Sequence, residues 1–267
     1  MTDWRRIRAV AAKDLAELRA TPSVLVGPLA MLATAVAVPL GVAIGVPAWT
    51  GESLQDADDL VALARQSLPG AAALGHEAAA QAWLLAQFVP LLVLVPVVGA
   101  MTLVTTSIVD EMRGRSLEPL LATPITTAEL LVAKAGAAFV VALALLAGGG
   151  AAFLLGVAAL AAPGVAAALV TTNAAALVAG LAPAAAAAAL MLGVVVSSRA
   201  RDARAAQQFS VLIVLPLVAL FVGRLGDGVS TATLLTAAAA GWVIAAVLAW
   251  VGVRVFDRER ILTRWTE

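Results

Sequence analysis

An all-α, polytopic membrane protein with six transmembrane helices is the fold this chain predicts, and three observations carry it. Hydrophobic residues make up 62% of the 267 and mean hydropathy is +1.00, which leaves too little polar side chain to cover a soluble globule. The apolar residues fall in long runs, 20–51, 78–109, 135–198, 205–223 and 228–253, that contain no Asp, Glu, Lys or Arg. A helix of roughly 20 residues crosses about 30 Å of hydrocarbon. The third run is long enough for two crossings, and Pro163-Gly164 near its centre, followed by Thr171-Thr172-Asn173, divides it into a tight hairpin. Runs of this length without period-two alternation make an outer-membrane barrel a poor rival.

Residues 1–22 form a separate interfacial helix ahead of the first span. Trp4, Ile7, Ala11, Leu15 and Leu18 recur at spacings of three and four, while Arg5, Arg8, Lys13 and Glu17 take the other faces. Such a helix lies in the plane of the membrane surface. Asp14 and Glu17 precede an apolar run long enough to span, which argues against a cleaved signal peptide. The spans themselves are predicted near 23–47, 83–109, 133–160, 166–196, 207–224 and 232–254. Between the first two lies a loop, 48–82, that carries Glu52, Asp56, Asp58, Asp59 and Glu77 against Arg65 and has room for a short helix. Kinks are expected at Gly27, Pro28, Pro39, Gly41, Gly45 and Pro47 in span 1, at Pro90, Pro96 and Gly99 in span 2, and at Pro216 in span 5.

Arginine sets the orientation, because short loops rich in Lys and Arg stay cytoplasmic. With both termini inside, 15 of the 17 cations lie on the cytoplasmic side, and Arg65 and Arg224 alone fall outside. The net charge of zero hides this asymmetry and gives no reason to expect a nucleic-acid partner.

Several chemistries are excluded by what the chain lacks. Without cysteine there is no disulfide, thiolate metal site or cysteine nucleophile. The one histidine, His76, is expected in the outer loop beside Glu77, away from any serine in the membrane. Asp56, Asp58 and Asp59 lack the spacing of a calcium loop and read as a solvated face rather than a metal site. Both lysines, Lys13 and Lys134, follow alanine, so no P-loop exists for ATP. The uncharged spans disfavour coupling to a proton or sodium gradient, which relies on buried ionisable relays. Polar residues within the spans, Gln87, Thr102, Thr105, Thr106, Ser107, Asn173, Gln207, Gln208 and Ser210, are expected to hydrogen-bond between helices or to line a polar path.

The segment 110–134, between spans 2 and 3, is the charged, patterned stretch in the middle of the chain. Ser116 is expected to cap a short helix with Leu117, Leu120 and Leu121 on one face and Pro119 in its first turn, stopped by Thr123-Pro124. Thr126 stands three residues before Glu129, the spacing of a capping box that starts the next helix. An amphipathic helix lying along the surface between two spans is a handle for a soluble partner.

The run Glu111, Arg113, Gly114, Ser116, Leu117, Glu118, Pro119, Leu120, Leu121, Thr123, Pro124, Ile125, Glu129, Leu130 and Lys134 resembles the pattern E-x-R-G-[ST]-L-E-x-L-L-x-[ST]-P-[IV]-x-x-x-E-[LI]-x-x-[GA]-K of the ABC-2 type permeases, the membrane subunits of ATP-binding-cassette exporters. Here Arg115 is an extra residue between Gly114 and Ser116. The stretch 12–19, AKDLAELR, is similar to the interfacial helix of the same family. The resemblance implies one transmembrane domain over 1–267 in the cell membrane, paired with a second permease subunit as a homo- or heterodimer. It also implies a separate ATPase subunit that holds ATP and Mg, so that this chain is no enzyme and carries no cofactor. Glu111, Arg113, Gly114, Leu117, Glu118, Pro119, Leu120, Leu121 and Pro124 would form the coupling helix against that ATPase. Spans 2 and 5, with Gln87, Thr102, Ser210 and Pro216, would face the path. Two other readings stand beside it: a six-helix substrate-capture subunit of an importer, and a membrane-embedded enzyme or assembly scaffold.

Overall fold

The computed structural model describes residues 3–51, 54, 57–113, 126–197, 208–209, 211–222 and 229–255, and among these every regular element is helical. Five helices are long and apolar enough to cross a membrane: Pro22–Thr50, His76–Val109, Ala128–Leu160, Thr172–Ser197 and Thr231–Arg254. They match the predicted spans 1, 2, 3, 4 and 6. Of the predicted span 207–224, the helix Val211–Val222 is described, and its 12 residues are too few to count as a crossing by themselves.

The chain begins with α1 (Trp4–Ala20), capped by Asp3, whose carboxylate accepts the backbone N–H of Arg5 at 3.0 Å. Its buried positions are Ile7 and Asp14, two turns apart, and Trp4 is 67% exposed. The apolar stripe expected from Trp4 to Leu18 faces inward from Ile7 onward, with Ala11, Leu15 and Leu18 half-buried, and carries an acid, Asp14, among its buried positions.

Span 1 comprises a 3₁₀ turn at Pro22–Leu25, α2 (Val26–Leu40), a π turn at Gly41–Gly45 and α3 (Val46–Thr50), and it ends at Gly51 in the left-handed region at φ 72°. The π turn has a local cause. The ring of Pro47 would clash with the carbonyl four residues back in a regular helix, and the backbone N–H of Val46 instead reaches five residues back to the Gly41 carbonyl. Span 4 repeats the device. A π turn at Ala176–Leu181 separates α9 (Thr172–Ala175) from α10 (Ala182–Ser197), the Ala182 N–H bonds the Leu177 carbonyl, and Pro183 follows.

The predicted outer loop 48–82 is largely helical. α4 (Asp58–Ser67) has Asp58 and Asp59 in its first turn and Arg65 in its last, which is where the helix dipole favours them. That placement accounts for the acidic pair without a metal. A 3₁₀ turn at Pro69–Ala73 leads to α5 (His76–Phe88), so span 2 starts seven residues earlier than predicted. His76 opens α5, half exposed, with Nδ1 3.7 Å from Asp58 Oδ1. α5 gives way at Val89-Pro90 to α6 (Leu91–Arg113), a break where a kink at Pro90 is expected. The 34 residues of this span measure about 51 Å along their helices, longer than the hydrocarbon is thick.

α7 (Thr127–Leu160) is a continuous helix of 34 residues. The hairpin predicted at Pro163-Gly164 is present: Gly164 has φ 90°, and a side chain there would also meet Leu74 Cδ2 at 2.7 Å. A short α8 (Val165–Leu169) follows, and Thr171 restarts the helix by accepting the Ala174 N–H, which moves the start of span 4 from 166 to 172. The α9 end is fastened to the start of α12 (Thr231–Val255), since the Asn173 amide donates to the Val229 carbonyl at 3.3 Å and its oxygen accepts from the Thr231 hydroxyl.

Small side chains place α10 at the centre. Its Ala184 to Leu190 are all buried, and it packs against α6 on one side and α12 on the other. Close approach of this kind is how membrane helices gain dispersion contact. α11 (Val211–Val222) touches α6 and α10 lightly, and Pro216 in its middle is exposed.

Candidate functional site

The two roots of the segment 114–125 are the ends of α6 and α7, and the structure fastens both to α1. At the α7 root the capping box is present: Glu129 N–H donates to Thr126 Oγ1 at 3.2 Å, and Thr126 N–H donates to Glu129 Oε2 at 2.9 Å. The second carboxylate oxygen of Glu129 does more than cap. It accepts the backbone N–H of Asp3 at 2.8 Å, so one side chain holds the first turns of α7 and α1 together.

Five residues further along α7, Lys134 reaches back across the same contact. Its Nζ lies 3.4 Å from both Oδ1 and Oδ2 of Asp14 on α1 and donates to Ser107 Oγ on α6 at 2.9 Å. The Lys134 and Asp14 side chains are 2% and 7% exposed. A charge that deep is tolerated because it is paired and hydrogen-bonded. Asp14, Glu129 and Lys134 are the buried charged residues among those described, and all three sit at this junction. Other ion pairs of α1, Arg6 with Asp3 and Lys13 with Glu17, are solvent-exposed and contribute little.

A half-open crevice of about 300 Å³ borders the junction. Asp14, Glu17, Ser107 and Lys134 give it a polar side, and Leu18, Val24 and Leu103 an apolar one. A second, more open crevice of about 550 Å³ lies at the other end of span 1, between Pro47, Gly51, Glu77 and Gln81. There the buried Gln81 accepts the Ala162 N–H at 2.9 Å and donates to Glu77. Among the described residues no three metal-ligating side chains come together.

The predicted site residues divide by where they fall. Glu111 and Arg113 lie in the last turn of α6. Gly114, Leu117, Glu118, Pro119, Leu120, Leu121 and Pro124 lie outside the described residues, as does Ser210. Gln87 and Thr102 are half-buried on the same span but about 22 Å apart along its axis, so they do not share one site. Pro216, on α11, is exposed. The hydroxyls of Thr105 and Thr106 turn back to carbonyls of their own helix, at Met101 (2.7 Å) and Thr102 (2.8 Å), rather than bridging to another. Ser107 and Asn173 do bridge between elements.

The expectation that the spans bury no ionisable group needs correction at one end of span 3. Glu129 and Lys134 belong to the apolar helix Ala128–Leu160, and both are buried. Assigning 110–134 to a surface segment hid them. The legible signal was Asp14, an acid seven residues from Ile7 on the inward stripe of α1, facing a chain in which Lys134 directly abuts an uncharged run.

The family model described as ABC-2 family transporter protein matches residues 8–259. No curated protein matches the chain.

Proposed function

The chain belongs to the ABC-2 family of transporter proteins, and from that membership we propose that it is the permease subunit of an ABC exporter, worked by a separate ATPase. Two permease subunits pair to form the path, and ATP and Mg are held by the ATPase. The family match across nearly the whole chain carries this reading. The helix Val211–Val222 is the core of a sixth span, both termini face the cytoplasm, and 114–125 is the segment that docks on the ATPase. The 15 to 2 division of cations supports the orientation. The convergence of Glu129 and Lys134 on the roots of 114–125 supports the docking assignment, because a segment that receives force needs firm anchorage at both ends.

The test is a pull-down. If Leu117, Leu120 and Leu121 fill an apolar groove of the ATPase, Leu121→Asp strands a charge in the contact at a cost of several kcal/mol. The variant inserts and accumulates normally but no longer co-purifies with the ATPase. Unchanged co-purification of a double Leu120→Asp, Leu121→Asp variant refutes the docking assignment.

A further inference from the structure

We propose that Lys134 is a positioning residue, whose buried ion pair with Asp14 and hydrogen bond to Ser107 weld α1 to both roots of the segment 114–125. Lys134 stands seven residues inside α7, about 10 Å from its start, and Ser107 six residues before the end of α6, about 9 Å from it. A single ammonium group therefore ties three helices at a point one to two turns behind the place where a docked ATPase pushes. The Glu129 carboxylate supplies a second tie, to Asp3, about 16 Å further along α1 from Asp14. Two ties that far apart fix the angle between α1 and α7 as well as their contact.

The kind of bond matters. A buried ion pair adds little net stability over apolar side chains of similar volume, yet opening it strands charge in a place with little water. It therefore resists any relative displacement of the helices, whereas packed methyl groups slide by an ångström at small cost. A push on 114–125 is thus delivered to α1, α6 and α7 as one body instead of being absorbed by bending at the membrane surface. The crevice lined by Leu18, Val24 and Leu103 leaves the junction thinly packed on one side, so the polar ties hold the angle there.

The weld is tested first on the permease alone, and its consequence for coupling, which rests on the docking reading above, on the complex. The chain has no cysteine, so spin labels at Ala12→Cys on α1 and Val140→Cys on α7, both exposed, report a single distance by pulsed electron resonance in phosphatidylcholine–phosphatidylglycerol nanodiscs. The wild-type background is expected to give one narrow distribution, and Lys134→Arg to keep it. The neutral pair Asp14→Leu with Lys134→Met removes both members of the ion pair together and is expected to keep the thermal midpoint, yet to broaden the distribution at least twofold. A neutral pair as narrow as the wild type, or Lys134→Arg as broad as the neutral pair, overturns the proposal. In the complex with the ATPase, labels at Ala12→Cys and Val243→Cys are expected to show a displacement on trapping with ATP and vanadate that shrinks at least threefold in the neutral pair, at undiminished ATPase yield. An undiminished displacement overturns the coupling role. An ATPase that fails to bind even the wild-type chain refutes the docking reading alone, because the nanodisc width needs only the permease.

Discussion

A single methyl group added at Gly193 measures how closely α10 and α6 are packed. A Cβ there would lie 2.6 Å from Val104 Cγ1, 2.9 Å from Met101 Sδ and 3.4 Å from Thr105 Cγ2. Met101 can shift its flexible thioether aside, but Val104 is fully buried and its χ1 is nearly fixed in a helix. Restoring ordinary carbon–carbon contact therefore requires the helices to separate by about 1 Å. Overpacking of this kind costs about 1–3 kcal/mol, against a helix-propensity gain of roughly 1 kcal/mol for replacing Gly by Ala. Gly148 on α7 is the control, since it is exposed and a Cβ there meets nothing within 4 Å, so Gly148→Ala receives the gain alone. The two variants should differ by about 1–3 kcal/mol, or roughly 2–12 °C in thermal midpoint at 2–4 °C per kcal/mol. Thermal unfolding in one detergent, followed by tryptophan fluorescence, reads the difference. If Gly193→Ala melts no lower than Gly148→Ala, the close seam between α6 and α10 is wrong.

Three further expectations are open to direct measurement. Single cysteines introduced at Asp58 and Glu118 should react with impermeant reagents from opposite sides of the membrane, and labelling from the same side would break the proposed orientation. Thr126→Ala should destabilise the start of α7 by about 1 kcal/mol, as loss of an N-cap does, while Thr126→Ser retains most of it; equal unfolding of the two variants would show the cap to be idle. The purified chain should neither hydrolyse ATP nor move cargo down a proton gradient in liposomes by itself, since it lacks a P-loop and its buried Lys134 is paired at one end of a span rather than placed midway.

What the residues alone revealed was whatever is written locally. The uncharged runs marked five of the crossings to within a few residues except at the starts of spans 2, 3 and 4, Thr126 and Glu129 form the capping box that their spacing predicts, and Pro163-Gly164 turns the chain. Span 2 was shortened in prediction because His76 and Glu77 look like loop residues, whereas they form the polar first turn of α5. The junction escaped notice because its members are far apart along the chain: Asp14 and Lys134 are separated by 120 positions, Asp3 and Glu129 by 126. No periodicity within one helix signals a partner on another. The π turns were missed for a different reason. Pro47 reads simply as a kink, and Pro183 sits inside an alanine run that draws no attention, yet each stands two residues after a π turn.

The π turn of span 1 also explains how one straight seam survives along a helix whose inward residues are wrongly spaced for it. Ala35, Pro39 and Ala43 are buried and Pro47 half-buried, at steps of four. At about 100° per residue each such step over-rotates by about 40°, so by Pro47 an unbroken α-helix would have turned its seam by about 120°, out toward lipid. The extra residue in Gly41–Gly45 takes back about 100° of that drift. The turn thus acts as a one-residue insertion that the seam absorbs. A Gly41→Ala or Gly45→Ala change meets open space, and deleting one residue from the turn would leave a regular helix in which the residue now at Pro47, eleven steps of about 100° from Ala35, still lies within about 20° of the seam.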